Sequence, residues 1–371
     1  MIDAGSYIVS SVALGILALS LGFSAFCLRG RLLPAWDGPP ARLVESILAI
    51  ALLIWLSELL GLFSLFYAST LVTSSALLAG ILAWRTGGLT ATSAGGTGEG
   101  RVRTVESANP PFPRDRTRGQ ALMSLIALGV VAVVFAHWGL TLKHALDRGI
   151  FNFDSLWYHM PFATDMAQSH SVTGLHYTET VFTNWFYPQN SELLHAVGML
   201  LTQRDTLSLF LNFGWLGLAF LAAWCIGRPY GRGSLTVIAA AIVLECHTLV
   251  VREPGAAKND LMAAALLLAA IAILVNAWSA RRREDPSERV ALSVGWPLAA
   301  AGLAAGLAAG TKPTVLGMAA ALTLAVIALA PAGKRRRAMA WWFVPALAGG
   351  GFWYLRNLIA AGNPLPQVSQ L

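Results

Sequence analysis

Apolar residues run in long blocks along this chain, broken by short polar segments, with no period-two alternation of the kind strands require. A bilayer core takes about 20 apolar residues per helix. About ten stretches meet that yardstick, at 7–28, 43–67, 69–84, 121–140, 207–227, 235–251, 261–280, 292–310, 315–330 and 339–358. The first lacks a basic N-terminal region and more spans follow it, so it reads as a retained helix and not as a signal peptide. The expected fold class is therefore all-α, a polytopic integral membrane protein of about ten transmembrane helices.

Basic residues separate the spans with one polarity. Arg29, Arg31 and Arg42 fall between the first two, and Arg85, Arg101, Arg103, Arg114, Arg116 and Arg118 between the third and fourth. Arg228 and Arg232 follow the fifth, Arg281 to Arg283 the seventh, and Lys334 to Arg337 the ninth. All lie on the cytoplasmic side if both termini are outside, as the excess of Lys and Arg in cytoplasmic loops requires. The Gly/Ser/Thr-rich stretch 87–100 is then a cytoplasmic linker. Residues 1–120 form an N-terminal unit of helices and linker, and 121–371 a second unit containing a long outer loop at 141–206. Gly302, Gly306 and Gly310, four apart, predict a helix face that lets a neighbour pack closely.

Composition sharpens this. Only 12% of the residues are charged and 56% are hydrophobic, which excludes a water-soluble domain. The net charge of +7 sits in the loops between spans, so it speaks for membrane lipid head groups and against nucleic acid. Cys27, Cys225 and Cys246 lack metal-ligand spacing and read as packing residues.

Scarce polar residues gather on the expected outer side. Asp154, Tyr158, Pro161 and Asp165 recur at helical spacing, as on one face of a short amphipathic helix at the membrane surface. Asp154 is a candidate for chemistry, with a helix N-cap as its plainer role. A second outer helix is expected from Pro188, capped by Asn190 or Ser191, with Glu192 and His195 as a polar stripe or, less strongly indicated, as metal ligands. The aromatic run Trp185-Phe186-Tyr187-Pro188 fits a surface turn or a lipid-binding wall. Asp260 at its span end is costly unless paired, hydrated or bound to a cation, with charge compensation by Lys258 as the plainer role. Lys312 either snorkels or holds a phosphate. Glu58, inside a span, is expected to hydrogen-bond a neighbouring helix.

The order of these features resembles the GT-C superfamily of membrane glycosyltransferases, in particular the bacterial branch related to protein O-mannosyltransferases and the lipid A aminoarabinose transferase. The matching residues are Phe153-Asp154-Ser155-Leu156-x-Tyr158-His159-x-Pro161, Tyr187-Pro188 with Glu192-Leu193-Leu194, Lys258-Asn259-Asp260, Gly310-Thr311-Lys312-Pro313-Thr314, and Arg356-Asn357 with Gly362-Asn363-Pro364. The resemblance implies a GT-C-like core in a bacterial cytoplasmic membrane, with its active site on the extracytoplasmic face. A sugar would pass from a polyprenyl-phosphate carrier to a glycan, lipid or protein acceptor, with inversion. Asp154 would be the catalytic carboxylate. Tyr158, His159, Tyr187, Glu192, Arg252, Lys258, Asp260 and Lys312 would bind substrate. A divalent metal, Mg or Mn, is left open, with Asp154 and Asp260 as its ligands. Relatives continue past the equivalent of Pro366, so the chain reads as shortened at its C-terminus. Two rivals are a lipid or solute transporter, which Glu58 favours, and a catalytically inactive assembly subunit.

Overall fold

The structure, a computed structural model, describes residues 4–86, 118–177, 183–284 and 294–368. The linker 87–100 and Arg101, Arg103, Arg114 and Arg116 lie outside the described residues, as do the side chains of Arg281 to Arg283. Among the described residues all regular structure is helical. The helices are α1 (Ala4–Leu32), α2 (Gly38–Leu62), α3 (Ala68–Arg85), α4 (Arg118–Arg148), α5 (Met160–Ser169), α6 (Asn190–Thr202), α7 (Leu211–Gly227), α8 (Gly233–Leu244), α9 (His247–Arg252), α10 (Asp260–Glu284), α11 (Trp296–Ala309), α12 (Leu316–Leu329) and α13 (Arg335–Ala361).

Each stretch expected to span contains helix among its described residues, but the lengths differ from expectation. Among the described residues five helical segments are long and apolar enough to cross a membrane: Ala4–Leu32, Gly38–Leu62, Arg118–Arg148, Thr206–Tyr230 and Asp260–Ser279. Gly233–Leu244, Trp296–Ala309 and Pro313–Leu329 are apolar but shorter. The stretch 235–251 is not one helix. It breaks at Glu245 and Cys246 between α8 and α9, where the Glu245 carboxylate pairs with His137 of α4 at 2.7 Å. Cys27 and Cys225 are buried packing residues as expected, while Cys246 is exposed at this break.

Proline and glycine account for the joints. Pro39 and Pro40 open α2, Pro161 opens α5 and Pro297 opens α11, at positions where a missing backbone N–H costs nothing. The glycine stripe does what its spacing predicts. A Cβ on Gly302 would overlap the Trp342 carbonyl, and one on Gly306 the Ala346 carbonyl. Backbones of α11 and α13 therefore meet directly, the mode of packing that helices use where lipid offers no hydrophobic incentive to associate.

Arg29, Arg31 and Arg42 around the α1–α2 joint, Arg228 and Arg232 around α7–α8, and Lys334 to Arg337 before α13 lie at one end of the bundle. Asp260 at the start of α10 and Arg356 near the end of α13 mark the opposite end.

Candidate functional site

Three segments distant in sequence are stitched together at that opposite end. Ser155 is fully buried and its Oγ accepts a hydrogen bond from the Ala257 N–H at 3.0 Å. Asn259 donates to the Thr311 carbonyl at 3.0 Å, and the Asn190 N–H to the Gly310 carbonyl, also at 3.0 Å. The segments around 155, 258 and 311, picked out separately from sequence, share one site.

Asp154 is not the cap of its helix. The Asn152 Oδ1 accepts from the N–H groups of Asp154, at 3.1 Å, and Ser155, at 3.4 Å, so Asn152 serves that role. The half-buried Asp154 carboxylate makes no hydrogen bond or ion pair with another described residue. Directly after it comes a π-helical turn, Ser155–His159, before α5 proceeds. Such turns insert one residue into a helix and gather at functional sites. Asp154, Tyr158, Pro161 and Asp165 are all half-buried, the boundary stripe their spacing predicts.

Below that stripe the chain buries a polar cluster. His159 hydrogen-bonds the Glu192 Oε1 through its Nδ1, and both side chains are buried. His195 is buried beside them, and burial, with His159 close by, pushes its imidazole down to about 3, so it is neutral. The expected polar stripe on an amphipathic α6 is therefore corrected. Asn190, Ser191, Glu192 and His195 all face the interior because α6 is packed between α5, α1 and α2. Neither Asn190 nor Ser191 caps it. Asn190 instead donates to the carbonyls of Leu307 at 3.2 Å and Gly349 at 3.1 Å. The aromatic run is an ordered turn and not a lipid wall: Trp185 is buried, and Arg356 and Asn357 hold its carbonyls.

Tyr158 marks where the acids converge. Burial first, then the carboxylates of Glu192 and Asp154, with Tyr187 and Asp260 beyond, hold its phenol far above the ordinary value. It is a hydrogen-bond donor that does not ionise. Burial likewise raises the phenol of Tyr187, whose ring meets that of Tyr158 edge-on at 6.3 Å.

Facing these groups is a row of alternating charges. Lys312 Nζ binds Asp260 Oδ1, and Lys258 Nζ lies 3.1 Å from Asp260 Oδ2 and 3.0 Å from Glu253 Oε1. The expected Lys258–Asp260 compensation is present, and Lys312 joins it instead of snorkelling away. Glu253, which no sequence signal distinguished, is sealed at 1% exposure. Burial raises its carboxyl, with Lys258 opposing. For Lys258 burial pulls downward, but Glu253 and Asp260 outweigh it and hold the ammonium above its usual range.

Other placements differ from expectation. Arg252 is exposed and makes no hydrogen bond or ion pair with a described residue, so it stands apart from this row. Glu58 is buried and makes no hydrogen bond of the expected kind with a described residue. Among the described residues no group of three or more His, Cys, Asp or Glu has the arrangement to hold a metal ion, and both oxygens of Asp260 are occupied by lysines.

Arg356 completes the floor. Its guanidinium donates to Gln189 at 2.9 Å and to the Trp185 carbonyl at 2.8 Å, and lies 4.9 Å from the Trp353 ring centroid. No protein-family model, curated protein or solved structure matches this chain.

Proposed function

We propose that this chain is a membrane glycosyltransferase that moves a sugar from a polyprenyl-phosphate donor to an acceptor on the outer face of the cytoplasmic membrane, with inversion. One observation supports this reading above the rest: hydrogen bonds from Ala257 to Ser155 and from Asn259 to Thr311 bring Asp154, which pairs with no described residue, to the same site as the Asp260–Lys312 pair. A carboxylate without a partner among the described residues, a non-ionising hydroxyl donor and two ammonium groups at one end of the bundle are the parts such a displacement needs.

In this mechanism the acceptor oxygen attacks the anomeric carbon while its proton passes to Asp154. The bond from that carbon to the phosphate oxygen breaks, and its electron pair leaves with the lipid phosphate. Lys312 and Lys258 take up the charge that develops there, as cationic groups do in phosphate chemistry. Tyr158 and Tyr187 offer hydrogen bonds to sugar hydroxyls, with His159 held in place from behind by Glu192. The arginines and lysines at the α1–α2, α7–α8 and α12–α13 joints lie at the far end of the bundle, which supports an extracytoplasmic site.

The test is transfer from a panel of polyprenyl-phosphate sugars by purified protein, with the Asp154→Asn variant alongside. Removal of a general base costs about 10²–10⁴-fold in rate, so the variant should be nearly inert while remaining folded. Full activity in Asp154→Asn would remove the base from this scheme. A second reading, a lipid or solute transporter, draws on Glu58, a buried carboxylate without a hydrogen-bond partner among the described residues. Transport by protein that transfers no sugar would favour it, whereas an inactive assembly subunit would tolerate the loss of Asp154.

A further inference from the structure

We propose that Glu253 is a positioning residue of the cleft, fixing the Lys258 ammonium from its buried side so that Asp260 is the partner displaced when a phosphate oxyanion binds. This inference rests on the phosphate-binding role proposed above.

The gradient of burial along the charge row supports it. The side chain of Glu253 is 2% exposed, Lys258 12%, Lys312 27% and Asp260 38%. Lys258 therefore has one partner deep in the protein and one that is partly exposed. Asp260 is the more accessible of its two carboxylate partners. Glu253 is itself immobilised. The Asn212 side chain, buried in α7, donates to the Glu253 carbonyl at 2.7 Å and to the Ala256 carbonyl at 3.2 Å, and its amide lies 3.5 Å from Glu253 Oε2. The Ala256 N–H closes the turn onto the same Glu253 carbonyl at 3.2 Å. A rigid turn, anchored to a helix, thus presents one carboxylate oxygen to one ammonium. Among the described residues Lys312 has no such second anchor beyond Asp260.

Charge and position predict opposite signs when Glu253 is neutralised. If Glu253 acted only as a nearby negative charge, its removal would strengthen binding of an anion. If it positions Lys258, its removal releases a flexible side chain and weakens binding, because holding a long side chain in place is part of what a bound state requires.

The experiment is binding of polyprenyl phosphate to the full chain in nanodiscs, for the unaltered protein and for Glu253→Gln, Lys258→Gln and the double variant. Glu253→Gln should weaken binding about tenfold, Lys258→Gln by at least as much, and the double variant no more than Lys258→Gln alone, since both act through one ammonium. Glu253→Asp retains the charge but shortens the reach, and should also weaken binding, which guards against a Glu253→Gln protein that does not fold. Unchanged or tighter binding in Glu253→Gln, unchanged binding in Glu253→Asp, or additive losses in the double variant would overturn the positioning role. Failure of the unaltered protein to bind polyprenyl phosphate would overturn the phosphate reading itself, and this inference with it.

Discussion

The Trp353 indole donates to the Asn190 Oδ1 at 2.7 Å, and through this one amide the first turn of α6 is fastened to both α11 and α13. The Asn190 side chain is fully buried. It therefore sets how α6, with Glu192 and His195 on it, lies against the glycine-packed pair of helices.

Asn190→Leu should destabilise the protein by roughly 2–4 kcal/mol, because it strands the buried Trp353 N–H and removes an amide that serves two carbonyls. Trp353→Phe should cost less, and combining the two should cost less than their sum, since both delete the same bond. Unfolding midpoints in mild detergent provide the check. Strict additivity would show that the two side chains act independently.

Gly306→Leu should abolish stable folding, as its side chain would have to occupy the space of the Ala346 carbonyl. Gly317→Ala, where an added Cβ meets nothing within 4 Å, should be neutral or stabilising by about 0.5–1 kcal/mol, the usual helix preference for Ala over Gly. The pair separates a packing requirement at Gly306 from a general intolerance of change in these helices. Gel-filtration profiles of detergent-solubilised protein would report it.

Stability should fall as pH drops below about 6.5, the value an unfolded histidine carries. His195 is held down to about 3 by burial, so between those values the unfolded chain takes up a proton that the folded one refuses. The contribution is complete above pH 6.5 and is lost progressively on acidification, by roughly 2 kcal/mol between pH 6.5 and 5. His195→Leu should flatten the thermal midpoint over that window relative to the parent. An unchanged slope would mean that His195 takes up its proton in the folded state.

Much of the fold was legible because apolar length and loop charge are long-range signals that do not depend on detail. The glycine spacing from 302 to 310 predicted its close approach correctly, as the absence of a Cβ has one geometric meaning. The break at Glu245 was missed because the residues around it are apolar enough to pass as continuous helix, and only the His137 partner on α4 explains it. Within the site, Asp260 and Lys258 were paired from sequence because neighbouring opposite charges at a span end have few alternatives. Glu253 was overlooked because one carboxylate in a loop with Arg252 beside it looks solvated, and its burial comes from Asn212, 41 positions away. Glu192 and His195 look like a surface stripe at i, i+3, yet tertiary packing turned the whole of α6 inward. Asn152, the true cap, was passed over for the more conspicuous Asp154.

The row Glu253, Lys258, Asp260 and Lys312 sums to no net charge, and that has a consequence for how a ligand arrives. A self-cancelling quartet projects little field into the surrounding water, so it gives small dissolved ions no long-range pull. For the proposed polyprenyl-phosphate donor, capture would then depend on its concentration at the bilayer surface, with the lipid tail supplying the residence time that electrostatic steering does not.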